Sequence, residues 1–299
     1  MAEYVKPPLD NSLYKLVDTN PDDLAFIKTQ SGISDPEALK SHIIDVQTKA
    51  YDLYGHHCIR SFAFTRTKIS TLPAYRHVLS LGRQRDGAIL LDLGCCFGTD
   101  LRKIASDGFP VQNLLASDLR RTFWDLGHEL FRSSPETFPV VFLAGDALDP
   151  TFLKPSAPLL SFDAVTAPPP LASLTTLTPL CGTVSAIHIS SVFHLFFEPQ
   201  QLELARALAG LLSPLPGSVI FGSHVGRHIK GFREESLCSG GQHMFCHSPE
   251  SWQEMWEEVF PGGTIKVDVA LKMRASDMDI SDRDKSTNAG LLIWSVMRV

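Results

Sequence analysis

The stretch Leu90–Asp100, LLDLGCCFGTD, contains the signals that decide the fold of this 299-residue chain. Ile89 and the two leucines that follow it form a short apolar run, which is typical of a strand buried on both faces. Gly94 and Gly98 then predict a tight turn, and a helix is expected to begin near Thr99–Leu101. A strand that leads through a glycine turn into a helix predicts a ligand site at the carboxyl edge of a sheet.

Strand and helix patterns alternate on both sides of this stretch, which predicts a doubly wound α/β fold with a mostly parallel sheet. The last two predicted strands have no helix between them and should pair in antiparallel fashion at the sheet edge. Residues 1–30 are polar and could be a disordered tail or an arm over the site, and 171–179 predict a surface insertion. The predicted strands are 89–92, 114–118, 140–143, 184–189, 218–222, 264–274 and 291–299, and the predicted helices are 35–53, 73–85, 101–107, 119–132, 199–212 and 249–259.

Composition and charge narrow the classes of function. A hydrophobic fraction of 44% and a charged fraction of 20% are ordinary for a soluble globular enzyme. The net charge of -6 argues against a nucleic-acid partner, because proteins that bind nucleic acid normally present a basic face. The first ten residues show no secretory signal, and the longest apolar stretch, 186–197, is too short to span a bilayer. Because the six cysteines lack paired spacing, we expect free thiols and a cytoplasmic protein without a membrane partner.

Three aspartates follow successive predicted strands, and this layout is typical of a nucleoside site. Asp92 adjoins the glycine turn, Asp118 could accept both ribose hydroxyl protons, and Asp146 could accept from the exocyclic amine of adenine. The alternative is that each aspartate only caps the helix that follows it. Cys96 stands where the NAD fingerprint has its second glycine, so a pyrophosphate could not approach closely and NAD is disfavoured.

These motifs resemble a known family. LLDLGCCFGTD, the acid Asp118, GDAL at 145–148 and the final strand pair are similar to class I S-adenosylmethionine-dependent methyltransferases. More narrowly, CIRSFAF at 58–64, DLRRTFWDLGHELF at 118–131 and SSVFHLF at 190–196 resemble fungal methyltransferases that modify terpenoid and polyketide–terpenoid compounds. The resemblance implies a Rossmann-like seven-stranded sheet, with an N-terminal arm and helical lid over 1–75 and a cofactor-binding methyltransferase domain over 76–299. It also implies methyl transfer to a hydroxyl or carboxyl oxygen of an apolar small molecule.

The resemblance also implies, position by position, which residues contact S-adenosylmethionine. Asp92, Gly94, Cys95 and Gly98 would surround the methionine part, Asp118 and Leu119 the ribose, Asp146, Ala147 and Leu148 the adenine, and Ser190 would lie beside the sulfonium. Arg60 is expected to pair with the cofactor carboxylate, although a surface ion pair is the alternative. Tyr14 is expected to help close the site from the N-terminal arm.

The residues around a glycine-hinged loop, 239–241, have two interpretations. His243, Met244 and Phe245 are predicted to line the substrate pocket beneath this loop. Alternatively, His243 could join Cys246 and neighbouring residues in a metal cluster, but their spacing fits no zinc pattern. We therefore expect no metal.

The choice of general base depends on the acceptor, because an ionised carboxylate needs none whereas a phenol or enol gains from one. His194 lies one helical turn after Ser190 and is the first candidate; His224, at the end of the fifth strand, is the second. His188, on the strand itself, is expected to be packed. C-methylation, a cofactor-retaining enzyme of cyclisation or rearrangement, and a non-catalytic binding module remain alternatives. A homodimer also stays open, since the arm could close its own site or that of a second copy.

Overall fold

The computed structural model describes residues 6–15, 21–237, 243–272 and 289–299. Its strands are β1 (Ile89–Leu93), β2 (Leu114–Asp118), β3 (Val141–Ala144), β4 (Val184–His188), β5 (Val219–Arg227), β6 (Gly231–Leu237), β7 (His243–Cys246), β8 (Ile265–Lys272) and β9 (Ala289–Arg298). Seven of them form one sheet in the order β3-β2-β1-β4-β5-β9-β8, and β6 pairs with β7 in a separate hairpin. The predicted Rossmann-like seven-stranded sheet is therefore confirmed.

Helices alternate with the strands of the large sheet and also precede them. The α-helices are α1 (Pro21–Ser31), α2 (Pro36–Leu53), α3 (His57–Arg60), α4 (Tyr75–Gln84), α5 (Thr99–Ser106), α6 (Arg121–Leu130), α7 (Glu198–Leu211) and α8 (Pro249–Val259). Asp35 caps α2 by accepting a hydrogen bond from the backbone N–H of Ala38, and Pro36 occupies its first turn. None of the described helices is long and apolar enough to cross a lipid bilayer.

The direction of winding changes between β1 and β4, and this fixes where a ligand can bind. Strands β1 to β5 are parallel, whereas β9 runs antiparallel to both β5 and β8, as the missing helix between the last two strands predicted. From β1 the chain winds outward through β2 and β3, and then returns to place β4 on the other side of β1. The carboxyl ends of β1 and β4 therefore flank the switch point, and it is in the crevice at this point that open α/β sheets bind ligands.

The two faces of the sheet are covered by separate apolar clusters. Leu91 belongs to the larger cluster, which holds Phe193, Trp252 and Trp256, while its neighbour Leu90 belongs to the other. All five residues of β1 are buried. The apolar run that begins at Ile89 is thus placed at the centre of the sheet, as its composition predicted.

The N-terminal region packs on the loop that follows β1. The ring of Phe64 meets that of Phe97 edge to face at 4.8 Å, and the Thr99 hydroxyl donates to the Phe64 carbonyl at 2.6 Å. One alternative for residues 1–30, a disordered tail, is wrong for 21–31. Those residues form α1, where Ile27 is fully buried and Asp23 accepts from Thr67. The helix is hard to find in the sequence because its apolar residues are few and not confined to one face.

Two other segments differ from the sequence prediction. Residues 171–179 are more than a surface insertion, because Leu174 and Leu177 are buried in the larger core cluster. Residues 243–246, for which no strand was predicted, form β7 and pair with β6. The predicted hinge at 239–241 lies outside the described residues.

Candidate functional site

The loop between β1 and α5 is held tightly against the end of β2. The backbone N–H groups of Gly94 and Cys95 donate to the Ser117 carbonyl at 2.8 and 3.1 Å. Gly94 has a φ of +77°, and a Cβ there would lie 2.4 Å from Val192 Cγ2. Glycine at this position makes room for Val192, which brings the loop against the segment after β4. A φ of +69° at Gly98 likewise suits glycine, since a Cβ would lie 2.6 Å from the Trp124 ring.

Asp118 lies at the carboxyl end of β2 and is fixed by two backbone donors. Its Oδ2 accepts from Cys96 N–H at 2.9 Å and its Oδ1 accepts from Arg120 N–H at 3.0 Å. Burial raises the pKa of this carboxyl. Each oxygen keeps a further lone pair, so the group can still accept from two ligand hydroxyls. Beside it, Leu119 is 60% exposed and offers an apolar side chain at the rim of the crevice.

The predicted adenine contacts follow β3. Asp146 is exposed, and its Oδ1 accepts from the backbone N–H of Leu148 at 2.9 Å. The alternative role for Asp146 was to cap the segment that follows it. The Asp146 side chain does accept such a local hydrogen bond, although the bond stabilises a turn and not a helix. Ala147 and Leu148 are half-buried and pack on the larger core cluster.

The ends of β1 and β4 carry a buried ion-pairing contact that the sequence did not reveal. His188, expected to be packed, places Nδ1 at 2.8 Å from Asp92 Oδ1 and Nε2 at 2.9 Å from Ser190 Oγ. Asp92 is 3% exposed. The structure thus directs Asp92 to His188, and Ser190 is the member of this group that is only half-buried.

Arg60, which the sequence analysis expects to pair with the cofactor carboxylate, has another partner in the structure. Arg60 Nε donates to the Pro8 carbonyl at 2.8 Å and ties the first described residues to the end of α3. Lys68 is half-buried, and its side-chain ammonium makes no hydrogen bond or ion pair with the described residues. Burial raises the pKa of both Asp100 and Cys96, and the nearby charge of Lys68 opposes this rise. Lys68 could not be identified from the sequence, because the segment around it matches no motif.

Tyr14 packs within the N-terminal helical region. Its ring meets that of Phe62 edge to face at 5.3 Å, and burial raises the pKa of its hydroxyl. This hydroxyl is buried and has no hydrogen-bond partner among the described residues. Its predicted role in closing the site stays a prediction.

The two candidate bases have different surroundings. His194 is half-buried, and its Nδ1 accepts from Val225 N–H at 3.5 Å. His224 is 1% exposed, its Nδ1 accepts from Trp294 Nε1–H at 3.0 Å, and its ring lies 4.5 Å from that of Trp252. Burial lowers the pKa of His224 well below its usual value. His224, expected at the end of the fifth strand, therefore lies within β5 and inside an aromatic cluster.

The predicted substrate contacts lie on β7. His243 is exposed, Met244 is half-buried, and Phe245 is buried against Phe232 with ring centroids 5.5 Å apart. Among the residues whose positions are described, no group of three histidine, cysteine or acidic side chains is placed to hold a metal ion. The substrate roles of these residues stay predictions.

Comparisons with known proteins show what this chain is similar to. The profile of the meroterpenoid methyltransferase N-terminal domain matches residues 13–65. O-methyltransferase phiE of Fungal sp. (strain ATCC 74256) is 31% identical over 224 residues, which cover 75% of this chain and 66% of phiE. Methyltransferase ausD of Penicillium brasilianum is 32% identical over 232 residues, which cover 77% of this chain and 73% of ausD.

Among solved structures, the chain is similar to that of the plantazolicin methyltransferase BamL, in complex with a triazolic desmethylPZN analog and SAH. It is 16% identical, with a TM-score of 0.49, and the match covers 93% of this chain and 96% of BamL. The resemblance seen in the sequence is confirmed by the relatives, because the similarity to ausD extends over most of both chains. The chain belongs to the family of fungal secondary-metabolite methyltransferases.

Proposed function

We propose that this chain binds S-adenosylmethionine between the carboxyl ends of β1 and β4 and methylates an oxygen of an apolar small molecule. The observation that carries the proposal is the Asp118 carboxylate, which Cys96 N–H holds at 2.9 Å beside the exposed Leu119. A fixed carboxylate next to an apolar side chain offers one group for ribose hydroxyls and another for an adenine face. The residues present therefore fit an adenosyl ligand.

Other residues complete the proposed cofactor site. Asp146 is exposed at the end of β3 and would accept from the exocyclic amine of adenine. Lys68 is better placed than Arg60 to pair with the cofactor carboxylate, because Arg60 already donates to Pro8 whereas Lys68 has no ion-pair partner in the described part of the chain. When bound, S-adenosylmethionine supplies a methyl group on a sulfonium. The protein's own task is then to align the acceptor and exclude water.

An apolar acceptor is supported by side chains beyond β4 and β5. Leu195, Phe197 and Phe232 are 36%, 40% and 45% exposed, and the two phenylalanine rings are 6.1 Å apart. Exposed apolar groups next to a crevice are typical of a site for an apolar ligand. We propose that residues 1–75 act as the lid, since Phe64 and Thr99 join this region to the cofactor loop.

The experiment measures SAH binding by calorimetry, and then the mass of products formed from a panel of apolar phenols, enols and carboxylic acids. SAH binding and the gain of one methylene unit support the proposal. An isomer of the substrate would instead indicate cyclisation or rearrangement. A wild-type chain that binds no SAH would contradict the proposal and favour a non-catalytic module.

His194 remains our predicted base within this function. His194→Ala should lower turnover of a phenol while leaving SAH affinity nearly unchanged, because the ring lies past β4 and bonds to β5. The matched measurement uses a carboxylic acid of similar size, which is ionised and needs no base. Equal turnover of the phenol by variant and wild type would exclude His194 from this role.

A further inference from the structure

Helix α2 of the N-terminal region packs on α6, and the order of their contacts shows that the two helices run in opposite directions. In the first half of α2, His42 Nε2 lies 3.0 Å from the Leu130 carbonyl at the end of α6. Just beyond the end of α2, the Tyr54 ring carries the Arg120 guanidinium, whose carbon lies 4.5 Å from the ring centroid. Arg120 directly precedes α6. The N-terminal region therefore reaches the segment that holds the proposed ribose site.

Arg120 makes two contacts of different kinds. Its backbone N–H donates to Asp118 Oδ1 at 3.0 Å, while its side chain packs on Tyr54. The other backbone donor to Asp118 is Cys96, and Cys96 packs on the apolar cluster that contains Phe62 of the N-terminal region. Both donors that fix the Asp118 carboxylate thus belong to residues that contact the N-terminal region.

The charge state of His56 favours the contact between Tyr54 and Arg120. The His56 ring lies 4.3 Å from the Tyr54 ring and 5.9 Å from that of Phe123 in α6. Burial lowers the pKa of His56 from 6.5 to about 4, and the charge of Arg120 adds to this effect. The imidazole is therefore neutral at pH 7 and does not repel the guanidinium. Tyr54 has a neutral ring as one neighbour and a cation as the other.

We propose that Arg120 is a positioning residue through which the N-terminal region, by way of Tyr54, preorganises the Asp118 carboxylate for the cofactor. The inference rests on the proposed function and deepens it by naming the residue that joins the lid to the cofactor site. A carboxylate whose donors are already fixed loses less conformational freedom when a ligand binds, so affinity increases. A contact between a cation and an aromatic ring at a half-buried position is expected to change such an affinity about two- to five-fold.

The first test measures hydrogen exchange of the Arg120 amide by NMR in the full chain without ligand. Tyr54→Leu should speed this exchange about two- to five-fold, because the side chain that holds Arg120 in place is lost. Tyr54→Phe keeps the ring and should restore the wild-type rate. The Phe109 amide, which donates to the Ile104 carbonyl after α5, is the internal reference for a general loss of stability. Unchanged exchange at Arg120, or an equal increase at Arg120 and Phe109, would overturn the proposal.

The second test measures SAH affinity by calorimetry in a double-mutant cycle. Arg120→Met and Tyr54→Leu should each weaken SAH binding about two- to five-fold, and the double variant should bind no worse than the weaker single variant, because both changes remove one contact. Arg121→Met is the matched control, since the guanidinium of this neighbouring arginine lies over the Phe142 ring of β3 instead. It should leave SAH affinity unchanged. Fully additive losses from Arg120→Met and Tyr54→Leu would overturn the proposal.

Two outcomes separate this inference from the function on which it rests. If Arg120→Met lowers stability towards urea but leaves SAH affinity unchanged, Arg120 and Tyr54 only attach the N-terminal region to the fold, and the positioning role is overturned while cofactor binding stands. Failure of the wild type to bind SAH contradicts the proposed function itself. The exchange rate of the Arg120 amide in the ligand-free chain then still decides whether Tyr54 fixes this donor to Asp118.

Discussion

Gly127 of α6 packs so closely on the Phe97 carbonyl that a Cβ at this position would lie 2.3 Å from the oxygen. Because Phe97 belongs to the loop after β1, this contact sets the distance between α6 and the proposed cofactor site. The neighbouring atoms are backbone and cannot rotate away. Packing thus requires glycine at position 127. This requirement explains the glycine of the DLRRTFWDLGHELF motif in physical terms.

Gly127→Ala should therefore destabilise the protein by about 1–3 kcal/mol, the usual effect of overpacking a close contact. It should also weaken SAH binding, because the loop must shift away from α6. Urea unfolding and calorimetry measure the two effects. Gly262→Ala is the control, since a Cβ there would meet nothing within 4 Å. A Gly127→Ala protein as stable as wild type would show that α6 and the loop can separate without loss.

Asp118 is expected to contribute most to cofactor affinity. Asp118→Ala should weaken SAH binding by about 1.5–3 kcal/mol, the effect of removing a charge-assisted hydrogen-bond partner. The loss combines the ribose contacts with the support that the carboxylate gives to Cys96 N–H. Asp149→Ala is a suitable control, because Asp149 is exposed and bonds only locally to Thr151. Unchanged SAH affinity in Asp118→Ala would remove the ribose assignment.

Lys68 and Arg60 are the two candidate partners of the cofactor carboxylate, and we expect their substitutions to affect SAH binding differently. Lys68→Gln should weaken SAH binding about ten-fold or more, since a charged hydrogen bond to a carboxylate is lost. Arg60→Gln should change it much less, because the Arg60 side chain is directed to Pro8. Calorimetry on both variants at the same ionic strength compares them. The reverse ranking would restore Arg60, the residue that the sequence favoured.

The sequence predicted the fold better than it predicted the site. Buried strands such as β1 and the glycine turn after it are local signals, so their order and the final antiparallel pair could be predicted. The contact between Asp92 and His188 joins residues 96 positions apart, and no local pattern reveals it. The burial of His224 depends on three separate elements, β5, α8 and β9, that meet only in the folded chain.

Stability should fall as the pH decreases from 6.5 towards 4. Burial lowers the pKa of both His56 and His247 from 6.5 to about 4, with Arg120 adding to the effect at His56. Between these pH values the unfolded chain binds protons that the folded chain does not, so the free energy of unfolding decreases as the pH falls. Each histidine contributes about 3 kcal/mol at most over this range. The raised pKa of His188 acts in the opposite sense, because its stabilisation is present at low pH and is lost as the pH rises.

His56→Phe should flatten this dependence, since phenylalanine can keep the packing of His56 on Tyr54 and Phe123 without titrating. Urea unfolding at several pH values between 4.5 and 7 measures the slope for wild type and variant. His228→Gln is the control, because His228 is exposed and should leave the slope unchanged. If His56→Phe kept the full acid slope of the wild type, the imidazole of His56 would have to be accessible to protons in the folded state.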